Sequence, residues 1–117
     1  MSKLNEARSK LFNSKAYKGP TVDVDIEGVL LEVRAPRVRH GMEGLSTGKL
    51  KPRSPDIGEI FIDCVYLKET GEPFFTKEYI AQLEECSAHE EGIVNRLSKA
   101  IEEVSSIAVD VKKTKKN

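Results

Sequence analysis

Tryptophan is absent, and only seven aromatic residues occur in 117, three Tyr and four Phe. Leucine, isoleucine and valine must therefore supply most of any core. No apolar run approaches the ~20 residues of a membrane span, and Met1-Ser2-Lys3 opens no signal peptide. The expectation is a soluble protein of the cytoplasm with reduced thiols. Cys64 and Cys86 are too few for a disulfide framework and lack metal spacing. Net charge is also missing: 19 basic residues balance 19 acidic ones, so bulk charge favours neither nucleic acid nor an acidic surface. Gly41-Met42-Glu43-Gly44 and Thr47-Gly48-Lys49 lack the spacing and context of a phosphate loop. A chain of this length makes one domain with a modest core.

The densest apolar stretch is Ser54 to Thr76. Ile57, Ile60, Phe61, Cys64 and Val65 fall at i, i+3, i+4, i+7 and i+8, one stripe of an α-helix. Ser54 is placed to cap it, Pro55 suits the first helical position, and Asp56 and Glu59 suit the positive end of the dipole. The pattern stops after Leu67, where Gly71 and Pro73 break it. Phe74 and Phe75 then lead to Thr76, which is placed to cap the next helix. Cys64 lies inside the stripe and is expected as a small buried core residue.

Upstream, the period changes. Val22, Val24 and Ile26 alternate with Asp23 and Asp25, and after Glu27-Gly28, Val29, Leu31 and Val33 alternate with Leu30, Glu32 and Arg34. That is a β-hairpin with a tight turn, whose outer edges are open to partners. Residues 1–20 carry a short helical pattern, Leu4, Ala7, Leu11 and Phe12, ending at Gly19-Pro20. They form either a mobile arm or an arm that orders against a neighbouring subunit. Val38, Met42 and Leu45 suggest a weak helical stripe that Gly41, Gly44 and Gly48 oppose, and Lys49 to Pro55 suggests a loop. One or two helices are expected over Thr76 to Ser105, with Tyr79, Ile80 and Leu83 on one face. Ile93, Val94, Leu97, Ile101 and Val104 lie on another. Residues 107–117 are lysine-rich and expected as a solvated tail. The fold class expected is α+β, mostly helical with an N-terminal β-hairpin; the alternative is all-α with Val22–Val33 extended but unpaired.

No catalytic chemistry emerges. His40 and His89 lack ligands at recognised spacing and are expected to be exposed. Cys86 and His89, three apart, can meet on a helical face, a weak signal for a metal or a thiol nucleophile. Asp56, Glu59 and Asp63 are expected on the solvated face of their helix rather than in acid–base work. No cofactor is expected. Arg34, Arg37, Arg39 and His40 form a basic cluster without the interleaved aromatics of a single-strand binder. Arg34, Arg37 and Arg39, with Phe74 and Phe75, are the candidate protein-contact residues.

The order of these features resembles a family. Val33-Arg34-Ala35-Pro36-Arg37-Val38-Arg39 follows the hairpin, Ile62-Asp63-Cys64-Val65 closes the mid-chain helix, and Gly71-Glu72-Pro73-Phe74-Phe75-Thr76 precedes a helix containing Leu83. A last helix runs through Leu97, Ala100, Ile101 and Ser105. Over Val22 to Ser106 this resembles the tail assembly chaperones of long-tailed bacteriophages and prophages. The resemblance implies a non-enzymatic domain over residues 21–106. Such a domain keeps the tape measure protein soluble, helps recruit the tail tube protein, self-associates into higher oligomers and is absent from the finished virion. It also implies two products from a programmed frameshift, this chain matching the shorter; Lys115 to Asn117 is where an A-rich slippery run fits. A small phage structural connector and a nucleic-acid-associated factor are the alternatives.

Overall fold

Alternation sets the first two strands. In the structure, a computed structural model that describes residues 2–54 and 56–105, β1 (Thr21–Ile26) pairs antiparallel with β2 (Val29–Arg34), in register from Thr21 opposite Arg34 to Ile26 opposite Val29. Glu27 and Gly28 both take positive φ, 52° and 85°, as the tightest hairpin turn requires. Asp25 Oδ1 accepts the Gly28 N–H at 3.0 Å. Leu31 and Val33 point into the core. On the other face Asp23 sits directly across from Glu32, a repulsive cross-strand pair. Lys68 Nζ offsets it, 3.3 Å from Asp23 and 3.6 Å from Glu32.

The expected helical stripe from Ile57 to Val65 divides. Helix α4 spans Ile57–Cys64, capped by Asp56, whose Oδ1 accepts the Gly58 N–H at 3.0 Å. Ile60, Phe61 and Cys64 are buried, whereas Ile57 is exposed. Ser54 is therefore not the cap; the expectation for Pro55 falls outside the described residues. From Val65 the chain is extended. Strand β5 (Val65–Leu67) pairs antiparallel with β2, Val33 opposite Val65 and Leu31 opposite Leu67, giving the order β1-β2-β5. Leu67 thus ends a strand, not a helix. The β2 edge presents unpaired backbone groups, and Val-Tyr-Leu is a good strand former, so pairing there outweighs another helical turn.

Two helices cover this sheet and its flank. Helix α6 (Ile93–Val104) buries Leu97, Ala100, Ile101 and Val104 against β1 and β2. Helix α5 (Lys77–Leu83) packs on α4. Its N-cap position is Thr76, whose side chain makes no capping bond. A methyl group added at Gly58 would lie 3.0 Å from Ile80 Cγ2, so glycine sets how closely these helices approach. Phe75 is buried and stacks on Phe61 at 5.9 Å between centroids.

The remaining elements are short. Helices α1 (Lys3–Phe12) and α2 (Lys15–Lys18) form the arm. Helix α3 (Val38–Gly41), a 3-10 turn (Leu45–Thr47) and the two-stranded ribbon of β3 (Met42–Glu43) and β4 (Lys51–Pro52) occupy the segment expected as weak helix and loop. The class is α+β with the hairpin in place, but it is not mostly helical: only 47% of the described residues are in helix. Strand β5, the ribbon and the turns over residues 84–92 take the difference. No helix among the described residues is long and apolar enough to cross a membrane. The lysine tail, with its proposed slippery run, falls outside the described residues.

Candidate functional site

From α3 to the start of α4, residues 36–53, the chain makes a flap that the core does not hold. Of residues 36–53 only His40 is buried. Gly44 and Gly48, at φ 88° and 80°, turn the ribbon back on itself. The Lys49 N–H donates to the Gly44 carbonyl at 3.1 Å, and a side chain at Gly44 would collide with the Lys49 carbonyl. The glycines that oppose a helix here are the ones that close the ribbon.

Polar pins attach the flap to α4. His40 Nδ1 accepts the Arg37 N–H at 2.8 Å, which places the ring proton on Nε2, facing Asp63 Oδ2 at 2.9 Å. Arg39 Nη2 reaches the same carboxylate oxygen at 2.9 Å. Arg53 Nη2 reaches both Glu59 oxygens, at 3.0 and 2.8 Å, a charge-assisted contact from a single nitrogen. It also donates to the Arg39 carbonyl, while its own N–H donates to the Gly41 carbonyl at 2.9 Å. Burial pushes the Asp63 carboxyl up, but hydrogen bonds from His40 and Arg39 outweigh it and leave the group below the usual carboxylate range. The Arg53 hydrogen bond lowers Glu59 in the same way.

His40, Glu59 and Asp63 bring three potential metal-ligand atoms within 4.8 Å of one another. Their chemistry is already spent: the proton on His40 Nε2 occupies that lone pair, and two guanidiniums supply the positive charge a cation would bring. The cluster is suited to fastening the flap.

Beyond these pins the flap presents apolar side chains to solvent, beside its own Glu43–Lys51 ion pair. Val38 is 61% exposed, Met42 48%, Leu45 65% and Leu50 54%. The weak stripe of the sequence is therefore not a core face. A second apolar surface is a groove of about 710 Å³ between α5, the turn after it and the start of α6, lined by Phe74, Tyr79, Leu83, Cys86 and Ile93.

The structure disperses the candidate contact residues. Arg34 pairs with Glu32 at 2.9 Å and lies 3.7 Å over the Tyr66 ring. Arg37 Nη1 lies 3.3 and 3.4 Å from the Tyr17 and Lys18 carbonyls. Arg39 is on the Asp63 pin. Phe74 borders the groove and Phe75 is in the core. His40 is buried rather than exposed, because its two ring nitrogens are both satisfied. Asp56, Glu59 and Asp63 do different work: the first caps α4, and the other two face the flap. Cys86 and His89 lie in turns, not on a helix; Cys86 Sγ meets the Ser87 carbonyl and His89 Nδ1 pairs with Ser87 Oγ at 2.7 Å. Cys64 is buried as expected, and burial raises its thiol to about 11. The sequence by itself does not disclose the pins. Their signal was the i, i+4 placement of Glu59 and Asp63 on a helix preceded by the basic segment Arg37 to Arg53.

Compared with known proteins, the chain matches no family model, no curated protein and no solved structure.

Proposed function

We propose that this chain is a non-enzymatic tail assembly chaperone of a long-tailed phage or prophage, working in the host cytoplasm, and that the flap is its client contact. The client is the tape measure protein, a long helix that exposes apolar side chains until the tail tube protein surrounds it. The observation that carries this reading is the flap itself. Val38, Met42, Leu45 and Leu50 are all exposed on a segment that the core does not bury and that His40–Asp63 and Arg53–Glu59 hold in shape. A holder of apolar helices needs such side chains presented while unoccupied. Repetition of weak contacts along one client then supplies avidity. Methionine and leucine on a short ribbon adapt to varied helix surfaces.

Co-expression tests the function. With the tape measure protein encoded beside it, the full chain is expected to keep that protein in the soluble fraction and to co-purify with it. Met42→Asp with Leu45→Asp is expected to abolish capture while the circular dichroism spectrum stays unchanged. A tape measure protein that aggregates equally with and without the chain overturns the reading. So does a gene placed among head–neck genes, which supports a connector, or strongly salt-dependent DNA binding.

A further inference from the structure

The arm and the groove have complementary surfaces that do not meet within one chain. Leu4, Ala7 and Leu11 fall at i, i+3 and i+7 of α1, the spacing of an amphipathic helix that lies in a groove. Nothing in α1 or α2 is buried, and Leu4, Leu11, Phe12 and Tyr17 are each more than half exposed. Phe12 and Tyr17 pack edge-to-face at 5.1 Å, folding α2 against α1. A lone helix of ten residues is marginal in water, so this arm gains most from a surface to lie on.

Charge matches as well. The arm carries Lys3, Arg8, Lys10, Lys15 and Lys18 against Glu6. Glu85 lines the groove, and Glu78 and Glu84 stand next to its lining residues Tyr79 and Leu83 against Lys77; Glu90 and Glu91 lie with Arg96 and Lys99 in a separate hollow beside β1 and do not enter this balance. A basic apolar helix thus stands against an acidic apolar groove.

No residue of the arm lines the groove of its own chain. The arm joins at Thr21, where Arg37 holds the Tyr17 and Lys18 carbonyls. The groove begins at Ile93, one turn before Arg96, whose guanidinium reaches the Asp25 carbonyl at the other end of β1. Strand β1 separates these ends by roughly 17 Å.

We propose that the groove of one copy receives the N-terminal arm of another. The contact is heterologous, so it repeats from copy to copy until the assembly closes or runs on. It does not depend on the flap reading, since no client takes part.

Light scattering on the full chain, without client, over a range of concentrations provides the test. The wild-type chain is expected to exceed the mass of one copy. Leu4→Asp with Leu11→Asp removes the arm's apolar face and leaves the groove. Tyr79→Asp with Ile93→Asp blocks the groove and leaves the arm. Each double variant alone is expected to weaken association on the order of tenfold or more. Their equimolar mixture is expected to form a pair and stop there, because one partner lacks an arm and the other a groove. Circular dichroism confirms that both fold; should the arm variant not fold, Arg8→Glu with Lys10→Glu replaces it, and high salt gives the same loss. A wild-type chain of one-copy mass at every concentration overturns the proposal. So does a mixture of folded variants that remains unpaired.

Discussion

His40 Nε2 lies 2.9 Å from Asp63 Oδ2, and this contact ties α3 to α4 across a gap of 23 residues in sequence. It is the only buried polar side chain among the described residues. Its other ring nitrogen accepts from the Arg37 backbone within the flap, so one polar atom of the imidazole shapes the flap and the other joins it to the body.

Removing that imidazole should loosen the flap. His40→Ala leaves a cavity, frees the Arg37 N–H and removes one partner of Asp63, a combination that costs about 2–4 kcal/mol. Chemical denaturation is the measurement. Asp63→Asn, which keeps an acceptor for His40 but removes the charge that Arg39 meets, is expected to cost less. Equal losses would show that the carboxylate charge, not the histidine packing, holds the segment.

Acid should release the same attachment. Asp63 and Glu59 are both held below their usual values in the folded chain. The native state therefore binds fewer protons than the unfolded one in this range. The stability the pins contribute is complete above the ordinary carboxylate values, near 4, and is lost as pH falls through the lowered ones. Unfolding measured from pH 6 to pH 3 is expected to show falling stability, and Asp63→Asn is expected to flatten that slope. A slope unchanged by the substitution would place the acid sensitivity elsewhere.

The two thiols should differ in reactivity. Cys64 is buried between α4 and the sheet with its thiol raised to about 11, so almost no thiolate exists at neutral pH. Cys86 lines the open groove. Alkylation at pH 8 of the native chain, followed by peptide mass mapping, should label Cys86 first, with Cys64 labelled only after unfolding. Equal labelling of both in the folded chain would contradict the packing around Cys64.

Leucines at different depths should cost different amounts. Leu97 is fully buried under the sheet and Leu45 is 65% exposed on the flap. Leu97→Ala is expected to cost about 2–5 kcal/mol, and Leu45→Ala to stay within about 0.5 kcal/mol. Comparable thermal shifts for the two would mean that the flap is packed against something in solution.

Much of the framework was legible from local pattern. The hairpin follows from alternation and from Glu27-Gly28, because strand period and turn chemistry are properties of neighbouring residues. The inner face of α6, the start of α5 after Phe75 and the burial of Cys64 follow from helical spacing in the same way. Helix α4 is shorter than its apolar stripe predicts. Val65 continues the stripe of Ile57, Ile60, Phe61 and Cys64 in phase, and the strand propensity of Val-Tyr-Leu alone is too weak a local signal to separate a further helical turn from a strand.

The order of apolar and polar residues by itself determined the hairpin, the helical faces and which residues are available for a core. Their period is written into consecutive positions, where chain geometry alone places side chains on one side. Only the tertiary structure decided that Val65–Leu67 is a strand, because its hydrogen-bond partners lie on β2, more than 30 residues away. Only the tertiary structure turned Val38, Met42 and Leu45 outward and His40 inward. Those choices rest on Asp63 and Glu59 arriving opposite Arg39, His40 and Arg53, and a pairing between distant segments has no period for a local pattern to reveal.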